Sequence, residues 1–143
     1  LYQSRLAAER EFEALKLVHS CGVSVPEPIN QNRHVIVMGM IEGVELYRSA
    51  EVQKPRRVLD EILLNVKKAY VKAEVIHADL SEFNVILKPD QHPLIIDWPQ
   101  FVKRDHPEAE RLLTRDIRNI TQFFNRKFGT RMSYKDYLAL ILG

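Results

Sequence analysis

Two aspartates and one asparagine in the middle of the chain are residue types that phosphate chemistry uses. Asp79 and Asn84 lie five positions apart, and Asp97 follows thirteen positions after Asn84. Between Asn84 and Asp97, two short apolar runs flank a segment with turn-forming residues, which predicts a tight β-hairpin. Because paired strands lie about 5 Å apart, the open ends of such a hairpin meet and place Asn84 beside Asp97. Asp79 then lies on the loop that leads into the same end.

This convergence predicts a site for a metal-bound phosphate next to an activated hydroxyl group. Asp79 would act as a general base that accepts or orients the proton of the hydroxyl nucleophile. Asn84 and Asp97 would supply oxygen ligands to Mg²⁺, a hard cation that also binds phosphate oxygens. The metal offsets the charge that develops in phosphoryl transfer.

The run His77-Ala78-Asp79-Leu80, followed by Asn84, matches the H-x-D-L-x-x-x-N pattern of the protein-kinase catalytic loop. Asp97 follows a predicted buried strand, where kinases place a metal-holding aspartate. The alternative is a polar loop whose Asp caps a turn, and the number of matching residue types disfavours it. We interpret His77 as an anchor of the loop rather than as a catalytic group.

Composition sets broad limits on the chain. It has 143 residues, of which 45% are hydrophobic and 28% charged, and these values are typical of one domain with a real core. No apolar run approaches the roughly 18 residues that span a membrane, and we expect neither a signal peptide nor a membrane partner. A single cysteine, Cys21, excludes an internal disulfide and indicates a reducing compartment. The net charge of +2 gives no support to strong electrostatic nucleic-acid binding.

Apolar periodicity predicts four helices around the hairpin. The first runs from about Ser4 to His19, with Leu6, Ala7, Phe12, Ala14, Leu15 and Val18 on its apolar face, and Gly22 caps it. The others are expected at about 55–73, at 107–128, and after a Ser133–Asp136 segment that resembles a capping box. A strand is predicted at His34–Met38 (HVIVM). These units predict an α+β domain that is mostly helical, with a small antiparallel sheet.

The wording of the motifs resembles the RIO family of atypical protein kinases. HADLSEFN and IIDWPQ are similar to the HGDLSEYN and IDFPQ-like motifs of that family. SRLAAEREFEALK with GVSVPEPI resembles its helix C region, VIVMGMIEGVELYR its hinge, and DHPEAERLLTRDIRNITQFF the segment after the metal aspartate. The match is collinear over nearly the whole chain, and ELYR and DHP favour the Rio2-like branch.

The resemblance implies further site residues in the binding of ATP. Glu11 matches the helix C glutamate that pairs with the ATP-binding lysine, although its position alone does not distinguish it from a solvated helix face. Met38 matches the residue at the back of the adenine pocket, and Gly39 to Ile41 match the hinge that contacts adenine. Ser81 and Glu82 belong to the catalytic motif, and for both a direct nucleotide or metal contact stays open.

The resemblance also implies where the chain lies within a kinase. Residues 1–43 correspond to part of the N-lobe and 44–143 to the C-lobe, whereas a glycine-rich phosphate loop and the strand with the ATP lysine would precede residue 1. Ala78 stands where RIO proteins usually have Gly, so its methyl group sits where special backbone dihedrals are expected. Asp97-Trp98-Pro99 has no Gly for an Asp-Phe-Gly type loop.

Family membership implies an ATP- and Mg²⁺- (or Mn²⁺-) dependent serine/threonine kinase or ATPase, in which Asp97 could be the phospho-acceptor. It further implies a role in maturation of the small ribosomal subunit, with the pre-small-subunit particle as partner, a cytoplasmic location and a monomeric state. Two alternatives stay open: a scaffold with a vestigial nucleotide site, and a small-molecule phosphotransferase with the same Asp/Asn/Asp arrangement.

Overall fold

The structure is a computed structural model that describes residues 2–32, 35–38 and 42–143. Four α-helices make up a little less than half of the chain: α1 (Tyr2–Ser20), α2 (Pro55–Lys68), α3 (Ala109–Phe128) and α4 (Tyr134–Leu142). A π-helical turn (Ala69–Ala73) extends α2 and a 3₁₀ turn occupies Leu46–Arg48. The four predicted helices are therefore present.

Seven short strands form three small antiparallel sheets. They are β1 (Pro28–Asn32), β2 (Val35–Met38), β3 (Val44–Glu45), β4 (Val75–Ile76), β5 (Val85–Leu87), β6 (Pro93–Ile95) and β7 (Val102–Lys103). β1 pairs with β2, β4 pairs with β7, and the central sheet has the order β3-β5-β6. The predicted hairpin is thus β5–β6. Of the strand predicted at His34–Met38, Val35–Met38 form β2, and His34 lies outside the described residues.

Helix ends follow the residue types that the chain places there. Pro55 lies in the first turn of α2, where the missing N–H costs no helical bond. Gly22 and Gly129 adopt left-handed φ values of +83° and +71° just beyond α1 and α3, as helix-ending glycines commonly do.

The core lies between α2, α3 and the sheet elements. Val58, Leu59, Ile62, Leu63, Val66 and Ala69 are buried on α2 and its extension, and Leu113, Ile117, Ile120, Phe123 and Phe124 on α3, at the predicted three- and four-residue steps. Trp98 is 1% exposed and, like the partly buried Cys21 and Met132, packs with the core.

Three details differ from the sequence expectations. α3 begins at Ala109 rather than at Pro107, because the Nδ1 of His106 accepts the backbone N–H of Glu108 in a turn before the helix. The Ser133 side chain makes no capping hydrogen bond; its carbonyl accepts the Asp136 N–H instead. On α1, Leu6 is 40% exposed, so the buried stripe starts later than predicted.

The division into lobes at residue 43 stays a prediction. Within the described residues, no helix combines the length and apolar character needed to cross a bilayer.

Candidate active site

The β5–β6 hairpin places Asn84 next to Asp97. Val85 pairs with Ile95 and Leu87 with Pro93, so the residues that flank the open end are Asn84 and Ile96. The Ile96 N–H donates to the Asn84 carbonyl at 2.9 Å, which extends the ladder by one bond. Asp97 follows directly and is exposed. The structure therefore brings Asn84 and Asp97 together as the hairpin prediction required.

Asn84 also contacts the loop that carries Asp79. Its Nδ2 donates a short hydrogen bond to the Asp79 carbonyl, and the residue is 8% exposed. An amide whose nitrogen is committed in this way keeps its Oδ1 as an acceptor for another group. The Asp79 side chain itself is exposed. Asp79, Asn84 and Asp97 therefore lie on adjoining segments with their oxygen atoms available.

His77 links the two halves of the site. Its Nε2 lies 2.8 Å from the Ile96 carbonyl, and its Nδ1 accepts the Asp79 N–H at 3.2 Å. These partners require a neutral ring protonated at Nε2. Burial, the largest influence, lowers the pKa of His77, and the ring packs against Trp98 with centroids 4.7 Å apart. The geometry agrees with the predicted anchoring role.

Asp116 on α3 binds the backbone of the loop that carries Asp79. The sequence did not identify it as a site residue. Its two carboxylate oxygens accept the N–H groups of Ala78 at 2.8 Å and Leu80 at 3.1 Å. Burial raises the pKa of Asp116 to about 7, against the opposing effect of these two donors. The available signal was an acidic residue next to Ile117 on the apolar face of α3.

Arg115 and the Ala78 backbone complete this support. The guanidinium of Arg115 donates to the Ala78 carbonyl, so that residue has both its N–H and its C=O bound by α3. Ala78 adopts φ +72°, the left-handed region that favours glycine. The expectation of special backbone dihedrals at this position is confirmed, and the hydrogen bonds from α3 hold Ala78 in this conformation.

α1 reaches the segment that follows Asp97 through two neighbouring residues. Burial is the main cause that raises the pKa of the Glu11 carboxyl, the negative charge of Asp97 raises it further, and a hydrogen bond with the Trp98 backbone opposes both. Arg10 donates to the Phe101 carbonyl at 2.8 Å and lies over the Phe101 ring, 4.6 Å from its centroid. Arg10 was also missed, because charged residues on α1 look alike in the sequence.

Ser81 and Glu82 make local contacts in the structure. The Ser81 hydroxyl accepts the Phe83 N–H at 3.2 Å, which forms a small turn before Asn84. Glu82 lies 3.8 Å from Arg126 of α3. Neither contact tests whether these side chains reach a nucleotide.

The predicted adenine-contacting residues fall at the end of β2 and beyond it. Met38 ends β2, of which the structure gives the backbone path alone. Gly39 and Ile41 lie outside the described residues. Their part in nucleotide binding stays a prediction.

The donor set suits Mg²⁺ held together with a phosphate. Among the described residues, no group of three or more His, Cys, Asp or Glu side chains could hold a metal alone. Mg²⁺ commonly binds through one or two carboxylates plus substrate phosphates and water, rather than in an all-protein cage. One exposed carboxylate, Asp97, next to one amide oxygen, Asn84, fits that mode.

The chain is about half helical, carries small antiparallel sheets and has a protein-kinase-like fold. A crystal structure of the Rio2 kinase–ADP/Mg²⁺–phosphoaspartate complex from Chaetomium thermophilum matches it with a TM-score of 0.84 and 34% identity over 96% of this chain and 45% of the other. The RIO domain family model matches residues 1–137. The chain belongs to the RIO family.

Relatives of the Rio2 branch are similar along most of the chain. The RIO-type serine/threonine-protein kinase Rio2 of Methanocaldococcus jannaschii is 47% identical over 131 residues, which cover 88% of this chain and 48% of that protein. The serine/threonine-protein kinase rio2 of Schizosaccharomyces pombe is 36% identical over 127 residues, 89% of this chain and 37% of that protein. The chain thus spans half or less of the length of these curated relatives.

Proposed function

We propose that the protein containing this chain is an ATP- and Mg²⁺-dependent RIO-type serine/threonine kinase or ATPase. The observation that carries the proposal is the convergence of Asp79, Asn84 and Asp97, in which the Asn84 amide bridges to the Asp79 loop and the hairpin ladder delivers Asp97. The Chaetomium relative, captured with ADP, Mg²⁺ and phosphoaspartate, supports the same chemistry.

Each side chain has a role that its surroundings allow. Exposed Asp79 would take the proton of the acceptor hydroxyl, while His77 and Asp116 hold its loop. Asn84 and Asp97 would hold Mg²⁺ through oxygen atoms. When bound, the metal neutralises charge on the phosphates. In an ATPase mode, an Asp97 carboxylate oxygen would attack the γ-phosphorus, ADP would leave, and water would hydrolyse the phosphoaspartate.

Glu11 would complete the nucleotide site from α1. Partial burial and the negative charge of Asp97 raise the pKa of the Glu11 carboxyl and so disfavour its charged form, which a nearby cation would restore. A lysine from a strand preceding this chain is such a cation. Met38, Gly39 and Ile41 would contact adenine, with the hinge as their proposed position. Mn²⁺ would substitute for Mg²⁺ at the same oxygen ligands.

The physiological setting is proposed from the family. We place the protein in the cytoplasm as a monomer that acts on the pre-small-ribosomal-subunit particle. The Ala78 substitution motivates the scaffold alternative, in which the protein binds no Mg-ATP. Because Ala78 is held by hydrogen bonds to Asp116 and Arg115, the loop geometry itself gives that alternative little support.

The test is Asp97→Asn in the full-length protein. We expect loss of Mg²⁺-dependent ATP turnover with an unchanged circular dichroism spectrum. Asp90→Asn is the matched control, because Asp90 is exposed at the closed end of the same hairpin, where it accepts the His92 N–H and forms an exposed pair with Lys88. ATP hydrolysis at the normal rate in Asp97→Asn would refute the proposal. Isothermal titration of the wild type with Mg-ATP distinguishes the enzyme from the scaffold alternative. The scaffold alternative predicts that no metal-dependent binding is measured.

A further inference from the structure

A groove of about 460 Å³ opens beside Asp79, away from the hairpin. Its walls are the Ala78–Asp79 loop, the segment that contains Gln100, His106 and Glu108, and the first turns of α3, with Arg111 and Arg115. The groove therefore borders the residue that would activate the acceptor hydroxyl. A substrate that offers its hydroxyl to Asp79 would extend into it.

The two arginines of the groove differ in their hydrogen-bond partners and in how easily they can exchange them. Arg115 is partly buried and donates to the Ala78 carbonyl, so it belongs to the support of the loop. The Nε of Arg111 donates to Glu108 at 2.8 Å, and the two side chains are 62% and 54% exposed. An exposed ion pair of this kind contributes little to stability. Arg111 can therefore exchange Glu108 for another carboxylate at small cost.

We propose that this groove binds an acidic side chain of a protein substrate near the phosphorylated serine or threonine, with Arg111 as the specificity-determining residue. The inference rests on the proposed function and names its substrate class. Arg–carboxylate pairing is charge-assisted and geometrically specific, which suits recognition of a single Asp or Glu.

The lining favours an acidic protein segment over RNA. Asp79 and Glu108 place two carboxylates among the arginines, so a chain of several phosphates would meet more repulsion there than a single carboxylate. No Phe, Tyr or Trp stands among the described residues that line this groove, whereas single-stranded nucleic acid commonly stacks on such rings.

The experiment uses the full-length protein and two serine peptides. One carries Glu on both sides of the serine, and the other carries Gln at those positions. We expect wild type to phosphorylate the Glu peptide with a kcat/KM about tenfold higher, the size of one hydrogen bond to a charged group. Arg111→Ala should abolish the preference. Glu108→Gln should raise kcat/KM for the Glu peptide about threefold, because Arg111 loses its competitor.

The opposite signs of the two variants separate recognition from structure. If the Arg111–Glu108 pair merely stabilised the start of α3, both substitutions would act in the same direction, and that result overturns the inference. Arg118→Ala is the matched control, because Arg118 is exposed on α3 and does not line the groove; it should keep the preference.

Peptide-free ATP hydrolysis distinguishes failure of this inference from failure of the proposed function. A wild type that hydrolyses Mg-ATP but treats both peptides equally, or phosphorylates neither, overturns the acidic-substrate inference alone. A wild type that neither binds nor hydrolyses Mg-ATP overturns both. Arg111-dependent inhibition by single-stranded RNA without a peptide preference assigns the groove to RNA and also overturns it.

Discussion

Replacing Asp116 by asparagine should change how stability depends on pH more than it changes stability at any one pH. Asp116 is buried, and burial raises its pKa from 3.8 to about 7. Between these values the folded state binds a proton that the unfolded state has released. Stability of the wild type therefore falls as pH rises through this window. The amide of the Asp116→Asn variant does not titrate, so the variant lacks this fall.

The stability that the wild type loses when Asp116 ionises can be compared with the stability that the variant loses with one hydrogen bond. Applied to the two pKa values of Asp116, linkage gives a loss of about 3 kcal/mol between pH 5 and pH 8. The substituted amide accepts from one of the Ala78 and Leu80 N–H groups and leaves the other unpaired, which costs about 1–3 kcal/mol. At pH 5 we expect the variant to be the less stable protein. At pH 8 the wild type bears the cost of a buried charge, which the variant avoids. This gain offsets the variant's lost hydrogen bond, and the two proteins should have nearly equal free energies of unfolding.

Urea unfolding at both pH values measures the difference directly. Other titrating groups are shared by wild type and variant and cancel in the comparison. Asp136→Asn, at an exposed position of α4, is the control and should show no pH-dependent difference. An Asp116→Asn variant destabilised by the same amount at pH 5 and pH 8 would contradict a raised pKa in the folded protein.

Three further substitutions test the scaffold around the site. His77→Phe should lower the free energy of unfolding, measured with urea, by about 1–3 kcal/mol. Because burial lowers the pKa of His77 in the folded protein, the wild type loses stability as pH falls below about 6.5, and the variant should lose less. Ala78→Gly should leave the melting temperature unchanged or higher, because glycine relieves about 1 kcal/mol of left-handed strain, and a lower value would contradict this. Arg10→Ala should lower stability by about 1 kcal/mol through its bond to the Phe101 carbonyl, whereas Arg5→Ala, on an exposed pair, should not.

The parts of the fold that the sequence predicts well are those with a local cause. The apolar stripe on α2, the glycine that ends α1 and the turn-forming residues between β5 and β6 each depend on residues within one or two helical turns. The hairpin prediction was sufficient to place Asn84 beside Asp97, because strand pairing converts sequence separation into proximity. Two-residue strands such as β4 and β7 were missed, since runs that short have no periodicity.

The supporting contacts of the site were not predictable in the same way. Asp116 and Arg115 lie more than thirty positions from Ala78, and Arg10 lies about ninety positions from Phe101. Whether an acidic or basic residue faces core or solvent depends on the packing of the whole helix. A charged residue within an apolar stripe is the one local sign, and at Asp116 it was available.

The strained backbone of the site explains why so much of the scaffold is directed at it. Two of the non-glycine residues with positive φ, Ala78 at +72° and Asp97 at +61°, belong to the candidate catalytic segments. Such conformations cost about 1–3 kcal/mol each and persist where the surroundings over-determine them. Asp116 and Arg115 bind the N–H and the carbonyl of Ala78, and Arg10 of α1 donates to the Phe101 carbonyl in the segment that follows Asp97. Helices α1 and α3 thus hold the two strained positions that aim Asp79 and Asp97 at one place.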